Sequence, residues 1–385
     1  MNMKSILCII LCAVMALSAA ACVSSKAQEK SQNETEAQET TMRKYDFSEE
    51  QKYLESALKK INFSGVVRIT KDGQTACEVA LGNRNTDTKN TADTRFCIGS
   101  VSKQFTAAAI MMLQQENKLS VNDKLEKYFP EYKIGKDLTI KNLLTMRSGI
   151  PEFYDVDYID NAFTERPTGE LRKTVTNDNT AEENRELLEK WLFEQLLTFK
   201  PDSSYEYSNS NYFLLARIVE KVTGGTFNDY IRDNIFKPLG MTNSFFIDDV
   251  NLKTLENLAA PTVDPQTVYV GVTMGLGDII TNADDMDKWL TSLRTNKLLT
   301  EESYKAMTSD YSPEDENVYG YGLIPDEKGG AYHYGYITTF HAMDYTDVDK
   351  GINLFAVTND NANIQGNLSE ICHLMIEKVM NRIAE

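Results

Sequence analysis

Apolar residues alternate with polar ones from Ser64 to Thr70, Asp72-Gly73 supplies a tight turn, and Gln74 to Leu81 returns with β-type residues. Side chains on a strand point to opposite faces in turn, so this pattern predicts a hairpin. Strand-like patterning reappears near the C-terminus, over Tyr319 to Ile324, Tyr332 to Ile337, Thr338 to Tyr345 and Ile352 to Thr358. Between the two groups the apolar spacing is helical, over Val101 to Glu116, Leu187 to Leu197, Asn211 to Val222, Phe227 to Ile235 and Ala283 to Thr295. Leu54, Leu58 and Ile61 mark one more amphipathic helix near the start. The simplest packing is an α+β fold: one antiparallel sheet made of the hairpin and the late strands, flanked by the first and last helices, plus an all-helical lobe. The sheet lobe then takes residues 45–99 and 300–385 and the helical lobe 100–299, with a cleft between them. Asp155 to Arg185, rich in Asp, Glu, Thr and Asn, reads as a long loop, either a variable surface insertion or a lid over that cleft.

The N-terminus has a different pattern. Lys4 precedes an uncharged run from Ser5 to Val23 that ends in Ser18, Ala19, Ala20 and Ala21, which reads as a secretory signal over residues 1–22. Cys22 after three alanines is similar to the lipid-modified cysteine of bacterial lipoproteins, while Ala19 departs from the usual leucine and leaves plain cleavage and secretion open. Ser24 to Thr41 contains almost nothing apolar and cannot bury surface, so residues 23–44 read as a tether to a domain over 45–385. No other run is long enough to cross a bilayer, and membrane contact is expected through a lipid on Cys22, outside the cytoplasm. An excess of 57 acidic over 40 basic residues, a net charge of −17, argues against nucleic acid as a partner. Cys77, Cys97 and Cys372 remain after the signal and Cys22; an odd number allows at most one disulfide, and the preferred reading is small buried hydrophobes. No cofactor or metal is expected, because His333, His341 and His373 stand apart and neither a His-Glu-x-x-His nor a paired Cys-x-x-Cys spacing occurs.

Three short motifs carry the chemistry. Ser100-Val-Ser-Lys103 opens the first central helix, Tyr207-Ser-Asn209 lies on a turn, and His333-Tyr-Gly335 lies on a late strand. A second Ser-x-x-Lys, at Ser56 and Lys59, falls on the solvated side of an ordinary helix, whereas Ser100 is followed by Phe105, Ala108, Ala109, Met112 and Leu113 at helical spacing. A serine hydroxyl becomes a nucleophile when a base takes its proton, and a lysine three residues along stands on the same helix face. Burial and the positive helix end both oppose charge on Lys103, the state a base requires. Tyr207 is placed to pass the proton to the leaving group, and Asn209 offers an amide to Lys103 and to a substrate carbonyl.

With Phe96 to Thr106, Leu143 to Ile150, Tyr205 to Tyr212, Pro238 to Thr242 and Gly275 to Met286, the chain resembles the serine β-lactamase and penicillin-binding-protein superfamily. The likeness is to its class C β-lactamase, esterase and D-alanyl-D-alanine carboxypeptidase side, and the last three segments lie away from the nucleophile. The resemblance implies a β-lactamase/DD-peptidase-like fold and an acyl-enzyme at Ser100, with Lys103 and Tyr207 catalytic and Asn209 and His333 binding substrate. It implies an oxyanion site made of the backbone N–H groups of Ser100 and Tyr336. Gly335, lacking a side chain, would let substrate run close along the strand edge. Pleating puts His333, Gly335 and Ile337 on one face, the face expected to line the cleft. Many relatives carry lysine where His333 stands; a histidine with a pKa of about 6.5 is mostly neutral at pH 7, so anion capture should be weaker. Ile337-Thr338-Thr339 replaces a common Pro-Gly turn, and Met146 replaces a common histidine. The expected substrate is a small-molecule or peptide acyl compound, a cell-wall peptide among the candidates, with ester or peptide hydrolysis favoured over efficient β-lactam turnover. The rival reading is a surface-anchored, penicillin-recognising sensor with little turnover.

Overall fold

A computed structural model of the chain describes residues 45–159, 162–261, 270–312, 318–360 and 368–384. The signal and the tether, and Cys22 with them, lie outside the described residues. The strands are β1 (Gly65–Lys71), β2 (Gln74–Leu81), β3 (Phe96–Cys97), β4 (Tyr154–Ile159), β5 (Ala162–Pro167), β6 (Phe245–Phe246), β7 (Ile279–Thr281), β8 (Ile324–Pro325), β9 (Gly330–Ile337), β10 (Phe340–Asp347) and β11 (Ile352–Thr358). The helices that matter below are α1 (Ser48–Lys60), α2 (Lys103–Gln115), α3 (Ile140–Leu144), α4 (Ala181–Glu194), α5 (Asn209–Thr223), α6 (Ala283–Arg294) and α7 (Leu368–Ala384).

The main sheet has the order β2-β1-β11-β10-β9-β8, so the N-terminal hairpin pairs antiparallel with the last strand, Val66 opposite Val357 and Ile69 opposite Leu354. Alternation sorts its side chains into two cores. Val67, Ile69, Val79, Leu354 and Ala356 pack with Leu54 and Leu58 of α1 and Ile376, Val379 and Ile383 of α7. Val66, Ala342, Phe355 and Val357 turn the other way, into the core that holds α2, α5 and α6. A sheet covered on both faces explains why β10 and β11 are buried at nearly every position, polar residues included. The mostly helical middle also carries the three-stranded sheet β3-β7-β6 and the β4-β5 hairpin.

Several boundaries differ from the sequence expectation. Only Ile324 of the predicted Tyr319 to Ile324 strand is paired, in the short strand Ile324–Pro325. A Cβ on Gly320 would lie 2.1 Å from the Met307 carbonyl oxygen and one on Gly322 2.7 Å from the Lys103 carbonyl oxygen, so these glycines serve close backbone contacts. Thr338, with φ of 53°, turns the chain between β9 and β10, which moves the next strand to Phe340. The Asp155 to Arg185 stretch is not a loop: it contains most of the β4-β5 hairpin, a short helix Leu171–Thr174 and the start of α4. A capping box of Thr180 and Glu183 starts α4 at Ala181, before the apolar periodicity becomes visible. The Phe227 helix passes at Arg232 into a π-turn that ends at Phe236. Cys77 and Cys97 are free and buried, and burial pushes both thiols up to about 12; the Cys372 side chain lies outside the described residues. Among the described residues no helix is long and apolar enough to cross a membrane.

Candidate active site

Ser100 sits on a sharp strand-to-helix turn. β3 ends at Cys97, Gly99 takes φ of 51°, and a 3-10 turn over Gly99–Ser102 feeds α2. A Cβ on Gly99 would meet the backbone of Tyr336 at 2.6 to 2.7 Å, so glycine is required on both counts. From Lys103 onward the alanines, leucine, methionines and glutamines of α2 are strong helix formers, and most of the helix is buried.

Lys103 is fully buried at the first turn of α2. Its Nζ lies 2.9 Å from Ser100 Oγ, 2.7 Å from Asn209 Oδ1 and 2.9 Å from the Leu276 carbonyl oxygen. The rings of Tyr207 and Tyr212 flank it, their centroids 5.0 and 5.8 Å from Nζ. Tyr207 is 36% exposed as a residue, yet protein atoms crowd its hydroxyl, which is hydrogen-bonded with Ser100. Burial holds that phenol well above its ordinary range, with the Ser100 bond pulling the other way. The structure therefore brings Ser100, Lys103, Tyr207 and Asn209 into one cluster.

β9 forms the facing wall. A Cβ on Gly335 would lie 1.9 Å from the Ile98 carbonyl oxygen and 3.0 Å from the Ser100 nitrogen, so glycine is required there for the protein's own chain to approach. That contact and the one at Gly99 draw the Ser100 and Tyr336 peptides together. His333 departs from the expectation of a cleft-lining residue: it is only 3% exposed. Its Nδ1–H donates to the Tyr334 carbonyl at 2.6 Å, and Nε2, 3.1 Å from the Tyr319 hydroxyl, is left as an acceptor. Burial and the nearby Lys103 push the imidazole down to about 3. The ring is neutral and both nitrogens are engaged, so the anion-capture part of the expectation has no donor here. Behind it Asp344 accepts the His333 backbone N–H at 2.9 Å and the Gln104 amide at 2.6 Å, and burial raises this carboxyl to about 7.

Several contributors were not singled out from the sequence. Leu276, in a segment read only as a mark of the fold, supplies a carbonyl to Lys103. Tyr319 completes the His333 environment, its ring meeting that of Tyr207 edge-on with centroids 6.0 Å apart. Glu152 accepts the Asn209 backbone N–H at 2.6 Å; its only trace in the sequence is an acid directly after Ile150-Pro151. Met146, where relatives often have histidine, keeps an acceptor in place: its sulfur lies 3.5 Å from Ser208 N and 3.3 Å from Asn211 Nδ2. A separate hollow of about 580 Å³, lined by Tyr332, Tyr334, Tyr345 and Met380, includes none of Ser100, Lys103 or Tyr207. It opens on the sheet face that α7 covers, with Tyr205 also in its lining.

The beta-lactamase family model matches residues 51–370. PbpX of Bacillus subtilis (strain 168), which carries the name of a penicillin-binding protein, is 31% identical over 282 residues, 70% of this chain and 64% of its own length. The chain thus spans just under two thirds of that relative. FmtA from Staphylococcus aureus superposes with a TM-score of 0.70 at 20% identity, over 89% of this chain and 92% of that one. The D-amino acid amidase from Ochrobactrum anthropi SV3 gives the same TM-score and identity over 88% and 99%.

Proposed function

The chain belongs to the beta-lactamase family of serine hydrolases, and on that footing we propose that it hydrolyses an ester or amide through an acyl-enzyme at Ser100. The observation that carries this reading is the set of three oxygens around Lys103 Nζ. A neutral amine has two N–H donors and one lone pair. It donates to Asn209 Oδ1 and the Leu276 carbonyl and accepts the Ser100 proton on its lone pair. Once it holds that proton, the ammonium donates to the same oxygens without any heavy atom moving. Proton transfer is therefore built into a fixed cage, as general-base catalysis requires.

Ser100 Oγ attacks the carbonyl carbon as its proton passes to Lys103 Nζ, and the backbone N–H groups of Ser100 and Tyr336 receive the oxyanion. Tyr207, kept protonated by its surroundings, hands a proton to the leaving group and is replenished from Lys103. Water then hydrolyses the acyl-enzyme. With His333 neutral and the chain at −17, the site has little to offer a substrate carboxylate. Neutral or amino-bearing acyl groups suit it better, and the amidase among its structural relatives acts on a substrate of that kind by name. Esters, D-amino-acyl amides and short cell-wall peptides are the favoured class, ahead of β-lactams. The reading includes export by the N-terminal signal and a lipid on Cys22, with secretion after plain cleavage as the alternative.

Release of p-nitrophenol from short p-nitrophenyl esters, compared between the protein and its Ser100→Ala variant with intact mass recorded on both, tests this. Turnover that vanishes in the variant is expected. A stable adduct without turnover would favour the sensor reading, and neither adduct nor Ser100-dependent release would end the hydrolase reading.

A further inference from the structure

We propose that Glu152 is the counter-ion of this site: its carboxylate fixes Asn209 and supplies the negative charge against which Lys103 becomes an ammonium. The proposal rests on the roles of Ser100 and Lys103 given above.

The geometry is a chain of short contacts. Glu152 Oε2 accepts the Asn209 backbone N–H at 2.6 Å, while Oε1 accepts those of Phe153 and Tyr154 at 2.8 and 3.0 Å. Asn209 then reaches Lys103 Nζ with its side-chain oxygen at 2.7 Å. Asn209 is also the first residue of α5, and Ser208 before it makes no side-chain capping bond. The carboxylate from a separate segment therefore takes the place of the cap, at the positive end of a helix of 15 residues. All three donors are N–H groups, and none of these contacts offers an acceptor for a carboxyl proton, which favours the ionised form.

The charges around it agree. Burial raises the Glu152 carboxyl; its N–H bonds oppose that rise, as does Lys103 once it is an ammonium. Its charge adds to the upward pressure on the Tyr207 phenol, favouring the protonated donor. Among the described residues, Lys103 on α2 and Tyr207 before α5 interact electrostatically with Glu152, and His333 on β9 and Tyr212 on α5 face Lys103 from other sides. His333 is neutral, so Glu152 is the anion that balances the charge Lys103 acquires when the Ser100 proton moves to it. Neutralising a buried ion at the moment it forms is worth more in a dry site than in water.

The test is a titration of Lys103 in the full chain carrying ε-13C-lysine, its resonance assigned by its loss in Lys103→Arg. In Glu152→Gln, loss of the negative neighbour should lower the Lys103 midpoint by about one unit, a tenfold change in the equilibrium. The acid limb of Ser100-dependent kcat/KM should move to lower pH by the same amount, with kcat down about tenfold to a hundredfold. Glu152→Asp, which keeps the charge, should return the limb to its original place even where kcat stays low. An unmoved midpoint and limb in Glu152→Gln would overturn the proposal and leave Glu152 as a helix cap. If that variant does not fold, the carboxyl signal of Glu152 in the unaltered protein decides, because a Glu152 protonated across the Lys103 titration would also overturn it. Absence of Ser100-dependent turnover would remove the hydrolase reading, while the Lys103 titration would still be readable.

Discussion

The Tyr319 hydroxyl lies 3.1 Å from His333 Nε2, on a ring whose other nitrogen already donates to the Tyr334 carbonyl. Tyr319 is thus the donor that satisfies the last acceptor of a buried imidazole. Removing only that oxygen, in Tyr319→Phe, takes away the partner of Nε2 together with the hydrogen bond to Tyr212 and should cost about 1–3 kcal/mol in urea unfolding. Because Tyr319 also meets the Tyr207 ring edge, turnover should fall as well. Unchanged stability would mean that water replaces the hydroxyl, and that the imidazole is less enclosed than its geometry indicates.

Neutral His333 has a consequence for pH. An unfolded chain protonates this residue near its ordinary 6.5, whereas the native ring resists until about 3. Between those values the unfolded state binds more protons, so the stabilising contribution is present above about 6.5 and is lost as pH falls toward 3. His341, lowered to about 4, acts in the same sense, and Asp344, raised to about 7, in the opposite one. Comparing variants isolates the His333 share: His333→Asn should lose less stability than the unaltered protein between pH 6.5 and 4 in matched urea melts. Equal slopes would show that the ring is not held neutral.

Gly335→Ala tests the wall of the site. The added Cβ would overlap the Ile98 carbonyl oxygen at 1.9 Å, and backbone on both sides can relieve that only by parting β9 from the Ser100 turn. Overpacking of this kind costs about 1–3 kcal/mol. A shift of about 1 Å between the Ser100 and Tyr336 peptides should lower ester turnover about a hundredfold. Full activity in Gly335→Ala would remove the case for an oxyanion site there.

The strands with one clear period were legible because their side chains face two cores, as Val66 and Val67 do. Tyr319 to Ile324 misled for a physical reason: Tyr-Gly-Tyr-Gly-Leu alternates like a strand, but its glycines exist for contacts with Met307 and Lys103 that no local pattern encodes. The β4-β5 hairpin was hidden the other way, since Tyr-Asp-Val-Asp-Tyr alternates correctly while its acids suggested a loop. In the site, the motif residues were readable because their chemistry demands fixed spacings. Glu152 was not, because it meets Asn209 from 57 residues away and a lone acid carries no spacing. Leu276 was not, because it contributes only a backbone carbonyl, which any residue has.

Lys103→Arg separates charge from base. Guanidinium stays protonated at any working pH and cannot accept the Ser100 proton, although it keeps the positive charge. The cage is also cut for an amine: three acceptors within 2.9 Å of one nitrogen, inside a fully buried pocket, leave a planar fork no room. Ester turnover should drop by about 10²–10⁴, the usual worth of a general base, and the acyl adduct on Ser100 should disappear from the intact mass. If instead the variant acylates at a near-normal rate, Lys103 is a fixed positive charge in the site, and another group must take the proton from Ser100.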